Sequence, residues 1–167
     1  TNIKPPVNIK KFINITSAED MYQAVVSNLD ENDVVIKSAA VADYKPKEYS
    51  DKKIKKKDGD LVIELDRNKD IAYEIGKIKK DKILVGFAAE TNDIIENAKG
   101  KIAKKNMDFI VANNLKESGA GFGTDTNVVS IIEKDGSMKK YPMMTKEEVA
   151  SVILDKIKVL LDEKSSL

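Results

Sequence analysis

The chain has 167 residues, of which 41% are hydrophobic and 34% charged, and its net charge is +1. This composition is typical of one globular domain with a real core. The absence of cysteine and histidine excludes disulfides, thiolate or Ser-His-Asp catalysis and zinc sites built on those ligands. With one arginine, Arg67, nucleic-acid recognition is not expected. No apolar run approaches the roughly 18 residues of a membrane span, and the composition is compatible with a cytoplasmic protein.

The first predicted elements are a strand over residues 7–15 and a helix over residues 18–29. Thr16 or Ser17 is placed to cap this helix, because a hydroxyl oxygen can accept a hydrogen bond from the free N–H groups of the first turn. Residues 33–38 are apolar on both faces, which predicts a central parallel strand.

The loop after residues 33–38 is the stretch around which the chain is organised. Ala39 and Ala40 would let a ligand approach the backbone, and Asp43 is the single acid that follows them. Between residues 45 and 57 come seven lysines, including Lys53. One carboxylate beside mobile ammonium groups suits a polyphosphate bound with a divalent cation. The alternative is a solvated lysine loop after a core strand.

Strand and helix patterns then alternate. Strands are predicted over residues 61–65, 82–89 and 107–112, with helices from Asp70 and over residues 91–105. In the helix after Asp70, the side chains of Ile71, Ile75 and Ile78 are expected to face inward. This order predicts a parallel sheet with crossover helices, whose ligands bind at the carboxyl ends of the strands.

The carboxyl-terminal third predicts a β-hairpin over residues 127–133 and 138–141, followed by an amphipathic helix over residues 146–162. The hairpin could serve a partner subunit or cap the sheet. The expected fold class is α/β: a Rossmann-like three-layer sandwich with a mostly parallel sheet and crossover helices, plus a β-hairpin or dimerisation arm, in a single domain over residues 1–167.

Few other side chains point to chemistry. The ring of Phe87 could contact a nucleobase or ribose, or lie in the core. Lys101 and Lys105 share a helical face and could both reach an anion, although a solvated face is the better explanation of this pair taken alone. Neither a P-loop nor a dinucleotide-binding glycine pattern is present.

Six motifs in order resemble one family. They are Ala39–Tyr44 (AAVADY), Lys53–Lys56 (KIKK), Asn68–Ile71 (NKDI), Gly86–Thr91 (GFAAET), Asp108–Asn113 (DFIVAN) and Gly121–Gly123 (GFG) with Asp125 and Asn127. Together they resemble bacterial CTP-using phosphopantothenate–cysteine ligase, also called phosphopantothenoylcysteine synthetase.

The resemblance implies a ligase of coenzyme A biosynthesis. It would join 4′-phosphopantothenate to L-cysteine through an acyl-cytidylate, using CTP and Mg²⁺ or Mn²⁺, with no flavin in this domain. It also implies a homodimer and fusion to a flavin-dependent decarboxylase. Lys53 would be catalytic, and Asp43 would bind the metal. The implied nucleotide-binding residues are Ala39, Ala40, Asp43, Lys53, Asn68, Lys69, Asp70, Ile71, Phe87, Lys101 and Lys105.

Two departures from the family pattern bear on these expectations. Lys69 stands where the family usually has proline, so the loop over Asn68–Ile71 should be less rigid. The glycine and asparagine loops at the start of family members are missing, which predicts a truncated and weakly active or inactive ligase. The alternatives are a non-catalytic nucleotide-binding module and an NAD(P)-binding domain.

Overall fold

The computed structural model describes residues 9–55, 60–90, 94–114 and 123–166. The chain divides into two compact units, which are described separately. Unit 1 comprises Thr1–Asn28 and Ala40–Asp70, and unit 2 comprises Leu29–Ala39 and Ile71–Leu167. None of the helices in the described ranges has the length and apolar character needed to span a membrane.

The described residues form four helices and nine strands. In chain order they are α1 (Ala18–Ser27), β1 (Val34–Lys37), β2 (Tyr44–Pro46), β3 (Leu65–Arg67), α2 (Ile71–Ile78), β4 (Ile83–Glu90), α3 (Ile94–Lys105), β5 (Phe109–Asn114), β6 (Thr126–Asn127), β7 (Val129–Glu133), β8 (Met138–Lys140), β9 (Met144–Thr145) and α4 (Lys146–Ser165).

Unit 2 is built on a five-stranded mixed sheet with the strand order β1-β4-β5-β7-β8. The pairs β1–β4 and β4–β5 are parallel, because α3 returns the chain between β4 and β5. The pairs β5–β7 and β7–β8 are antiparallel. The predicted α/β Rossmann-like fold is confirmed, and the predicted hairpin is part of the main sheet, since β7 pairs with β5.

The core of unit 2 lies on both faces of this sheet. On one face, Val149, Ile153 and Ile157 of α4 pack in a cluster whose sheet side chains are Ile83, Val85, Phe109, Val111, Val129 and Ile131. Because side chains alternate along a strand, the intervening residues point to the other face. There a Cβ on Gly86 would meet Met107 and Ile110, which shows how closely that layer packs.

Two helices begin as their sequences indicate. The Ser17 hydroxyl accepts from the N–H of Asp20, and the Asp20 carboxylate accepts from the N–H groups of Thr16 and Ser17. Hydrogen bonds from Thr16, with further ones from Ser17, hold the pKa of Asp20 at about 2. Thr145 and Glu148 form the same reciprocal cap at α4. Capping boxes of this kind are local, so sequence alone predicts them.

Four element predictions need correction. Described residues 9–15 form no strand. The strand β1 lies at the edge of the described sheet rather than at its centre, and Ile36 is exposed. Within residues 61–65 only Leu65 is in a strand, where β3 pairs with β2 in a separate two-stranded sheet. Ile78 is exposed at the end of α2. In each case the context in the folded protein, and not the local sequence pattern, determined the outcome.

The carboxylate of Asp108 links several segments of the chain at the amino-terminal ends of β4 and β5. The side chain of Asp108 accepts hydrogen bonds from Lys79 Nζ (2.8 Å), the Leu84 N–H (2.8 Å) and Lys134 Nζ (2.9 Å). Lys79 is only 3% exposed. Burial by itself would raise the pKa of Asp108, but the hydrogen bonds from Lys79, Leu84 and Lys134 outweigh it and lower the pKa below its ordinary value.

The lowered pKa predicts how stability responds to acid. A carboxyl group with a depressed folded-state pKa stabilises the protein above its unfolded pKa and loses that contribution as the pH falls through its folded pKa. Asp108→Asn should cost about 3–5 kcal/mol of unfolding free energy at pH 7, because it leaves Lys79 buried without a counter-charge. The difference from the wild type should shrink as the pH falls below 3.8, the ordinary pKa of an aspartate carboxyl group.

Urea unfolding at a series of pH values measures this difference. The matched control is Asp155→Asn, an exposed carboxylate on α4, which should change stability by about 0.5 kcal/mol or less. A penalty for Asp108→Asn that stayed constant down to pH 2 would contradict the ion-pair account.

Candidate functional site

The carboxyl ends of three parallel strands lie side by side in unit 2. The register pairs Lys37 of β1 with Gly86 of β4, and Ala89 of β4 with Asn113 of β5. Small residues follow or end these strands: Ser38 and Ala39 after β1, Ala88 and Ala89 in β4, and Ala112 in β5. In open α/β sheets ligands bind at this edge, so this edge is the candidate site.

The ring of Phe87 contributes to this edge. Phe87 pairs with Val111 in register and is 38% exposed. It is therefore not a fully buried core residue, which favours the ligand-contact alternative for its ring. Ile71, in contrast, is 3% exposed at the start of α2, so its side chain belongs to the core.

In unit 1 the structure brings Asp43 and Asn68 together. The N–H of Asn68 donates to the carbonyl of Asp43 (2.8 Å), and Asn68 Nδ2 donates to the carbonyl of Ala42 (2.9 Å). The antiparallel pairing of β2 with β3 sets this contact. Asp43 itself is exposed, as are Ala40 and Asp70. Asn68 therefore holds the backbone of Ala42 and Asp43 in place through these two hydrogen bonds.

Lys69 is bound within unit 1 by two contacts. Its Nζ lies 3.0 Å from Glu19 Oε1 and 4.3 Å from the centre of the Tyr22 ring. The pKa of Glu19 is lowered by a hydrogen bond from Gln23 and by the one from Lys69. These contacts tie the loop before α2 to α1, at the position where the resembled family usually has proline.

The lysine segment of unit 1 is partly ordered by strand pairing. Lys45 belongs to β2, and Lys47 forms an exposed ion pair with Glu64 at 3.0 Å. Lys53 is exposed and lies outside any strand or helix. Lys56 and Lys57 lie outside the described residues, as do Gly121 and Phe122 of the last motif.

Lys101 and Lys105 lie in the second half of α3. They occupy the last two turns of that helix, and at about 1.5 Å per residue Lys105 lies about 16 Å along the axis from its start. A Cβ on Gly76 of α2 would clash with the Lys105 carbonyl. Since α3 runs back along the sheet, the backbone of Lys105 lies toward the amino-terminal end of β5, and the shared site of both lysines with Phe87 stays a prediction.

The sequence analysis assigned no individual role to the side chain of Asn113. Its Oδ1 atom is buried and accepts no hydrogen bond from the described residues. The available signal was the position of the amide, directly at the carboxyl end of a buried strand. Nothing in the sequence indicates whether a neighbouring donor satisfies such an amide, since that depends on the packing.

The fold defines the chain as an α/β domain with Rossmann-like architecture. Comparison with known proteins then gives the particular family. The chain belongs to the family described as "DNA/pantothenate metabolism flavoprotein C-terminal domain", whose model matches residues 1–160.

Similar proteins are parts of longer chains. The coenzyme A biosynthesis bifunctional protein CoaBC of Bacillus subtilis is 50% identical over 159 residues, covering 95% of this chain and 39% of that protein. A cysteine/cysteine sulfinic acid decarboxylase from an unknown prokaryotic organism is 46% identical, with 95% of this chain and 45% of that protein covered. The chain thus spans less than half of these relatives.

Solved structures agree on the fold. The crystal structure of the C-terminal domain of a CoaBC bifunctional protein superposes with a TM-score of 0.80 at 40% identity, covering 98% of this chain and 73% of that one. A Cab2 mutant solved in complex with phosphopantothenate-cysteine has a TM-score of 0.65 at 16% identity, covering 90% of this chain and 54% of that one. At that identity the likeness shows the fold alone.

These comparisons contradict the identification as a CTP-dependent ligase. The family is described as a flavoprotein domain, and a 46% identical relative is named a decarboxylase. The expected ligase activity, the CTP co-substrate with Mg²⁺ or Mn²⁺, and the absence of flavin are corrected accordingly. The expected pathway, coenzyme A biosynthesis, agrees with the printed name of the Bacillus subtilis relative. The link to a further domain agrees with its description as a bifunctional protein.

One open groove of unit 2 does not suit the flavin that the family description implies. A flavin requires a deep, mostly apolar cleft for its ring system. An open groove on α4 is lined by Val159, Asp162, Glu163 and Ser166, and its two carboxylates would repel the phosphate of FMN. Nor do the described residues bring three acidic side chains together as a metal site. No chemical step is therefore assigned here to a flavin or to a metal on Asp43.

Proposed function

We propose that this chain is the C-terminal domain of a bifunctional, cytoplasmic coenzyme A biosynthesis protein, and that it binds phosphopantothenoylcysteine. Decarboxylation of that conjugate belongs to the complete protein with its flavin. The names of the relatives support the pathway and the reaction class, and the ligand in the Cab2 complex suggests the conjugate.

One observation carries the binding role. The parallel register of β1, β4 and β5 aligns small-residue strand ends beside the half-exposed ring of Phe87. Backbone without bulky side chains can donate and accept hydrogen bonds with a bound amide, while the ring covers an apolar part of the ligand. An elongated, amide-containing molecule with a methylated carbon chain suits such an edge.

The chain's own contribution is binding and orientation. For unit 1 by itself, Lys53 is proposed to bind a phosphate group, because it is exposed and the described residues form no ion pair with it that would have to be broken. Its role as the catalytic lysine of a ligase is not carried forward.

Charge removal at Lys53 tests the phosphate assignment. In isothermal titration of the 167-residue chain with phosphopantothenoylcysteine, Lys53→Gln should weaken binding by about 5- to 20-fold, as expected for the loss of one charge-assisted contact. The matched control is Lys104→Gln, an exposed lysine on α3, which should bind as the wild type does. The dephosphorylated ligand should not distinguish the variants. Equal affinity of Lys53→Gln and wild type for the phosphorylated ligand would remove Lys53 from the proposal.

The division between binding and reaction is tested by measuring carbon dioxide. The complete protein that contains this domain should release CO₂ from phosphopantothenoylcysteine and show the visible absorbance of a bound oxidised flavin. The 167-residue chain mixed with FMN should bind the conjugate without releasing CO₂. Release of CO₂ by this chain alone would show that it holds the flavin after all.

A homodimer also belongs to the proposal. Unit 1 exposes the apolar side chains of Leu61, Val62 and Ile63, and Val62 is 83% exposed. A contiguous apolar run of this kind is unusual on a monomer surface. Sedimentation equilibrium should give twice the chain mass of 18.5 kDa, and Val62→Lys should shift it toward the monomer. A monomeric wild type at about 100 μM, well above the dissociation constant of a stable dimer, would contradict dimerisation.

A further inference from the structure

The unpaired amide oxygen of Asn113 stands out among the described residues. This residue lies inside the sheet, since Asn113 pairs in register with Ala89 of β4 on one side and Val129 of β7 on the other. Its side-chain Oδ1 is buried and has no hydrogen-bond donor among the described residues. About nine in ten buried polar atoms in proteins do have a partner, so this oxygen requires an explanation.

The position of Asn113 places that oxygen at the candidate site. Side chains alternate along β5, so Asn113 lies on the same sheet face as Phe109 and Val111, which pack toward α4. It is the last residue of that row, at the carboxyl edge. On β4 the same face carries Phe87 and Ala89, so the Asn113 amide lies beside a methyl group and diagonally from the exposed ring.

The residue type is informative because packing alone does not favour it. Leucine or valine would continue the apolar row of β5 without leaving a polar atom unsatisfied. An unpaired amide oxygen at this point destabilises the free protein. A group that donates a hydrogen bond to this oxygen removes the cost. At a ligand-binding edge that donor can be an N–H or O–H group of the ligand.

We propose that Asn113 is a specificity-determining residue whose Oδ1 accepts a hydrogen bond from an amide N–H or hydroxyl group of the bound ligand. The inference rests on the proposed function, and phosphopantothenoylcysteine carries donors of both kinds. A site that hydrogen-bonds a ligand donor discriminates strongly against analogues that lack it, because the buried acceptor is then left unpaired.

For the variant Asn113→Leu, stability and ligand affinity are expected to respond differently. Asn113→Leu removes an unsatisfied atom from the free protein, so its melting temperature should stay the same or rise by about 2–4 °C. The same change removes the acceptor, so affinity for phosphopantothenoylcysteine should fall about 10- to 100-fold. Asn113→Ala, which cannot clash, should show the same loss of affinity if leucine impairs folding.

The matched control is Ile131→Val. Ile131 pairs with Val111 on the neighbouring strand and is buried on the same face, but it lies away from the carboxyl edge. Removing one methylene should lower the melting temperature by a few degrees, consistent with a partly filled cavity, and leave affinity within about twofold of the wild type. This separates a general loss of stability from the loss of a ligand contact.

The outcomes are decisive. Weakened binding by both Asn113 variants with an unchanged or raised melting temperature for Asn113→Leu supports the inference. If the wild type binds the conjugate and both variants bind it equally well, the inference is overturned and the proposed function stands. A drop of several degrees in Asn113→Leu together with folded, binding-competent Asn113→Ala also overturns it, because the amide would then be structural. If the wild type shows no binding, the proposed function fails and the Asn113 assignment fails with it.

Discussion

The parallel pairing of β4 with β1 and β5 is the constraint on which the candidate site depends. It brings strand ends that are distant in the sequence to one edge of unit 2, with Ala89 directly beside Asn113. The buried side chains of Ile83, Val85, Phe109 and Val111 hold these strands in register, because a slip of one residue would turn this apolar row toward the opposite face. The register of the core strands thus determines which small residues, amides and rings lie next to one another at the carboxyl ends of β1, β4 and β5.

At the amino-terminal ends of β4 and β5, hydrogen bonds and ion pairs of one carboxylate add to the apolar packing. Asp108 joins α2, the start of β4 and the turn after β7 through Lys79, Leu84 and Lys134. A buried carboxylate with several donors fixes geometry strongly, even where its net contribution to stability is modest. The two edges therefore differ in kind: one has its buried polar groups satisfied, while the other presents the unpaired oxygen of Asn113. This asymmetry agrees with structural use of the first edge and ligand binding at the second.

The family assignment changes the chemistry that the motifs were expected to support. A lysine-rich segment and an aspartate after a strand suit a nucleotide triphosphate, but they equally suit the single phosphate of a pantothenate derivative. Charge patterns of this kind identify an anion without identifying the reaction.

Local signals in the sequence determined much of this protein. Capping residues and 3.6-residue periodicity predicted α1 and α4, and apolar runs predicted β4 and β5, because these features involve neighbours along the chain. Packing decided the rest. The antiparallel addition of β7 to β5, the edge position of β1 and the pairing of β3 with β2 arise from contacts between distant segments. Likewise, the crossover helix α3 reverses the direction of the chain between β4 and β5. Whether the Asn113 amide finds a partner is a property of the space around it, which a linear pattern of residues does not encode.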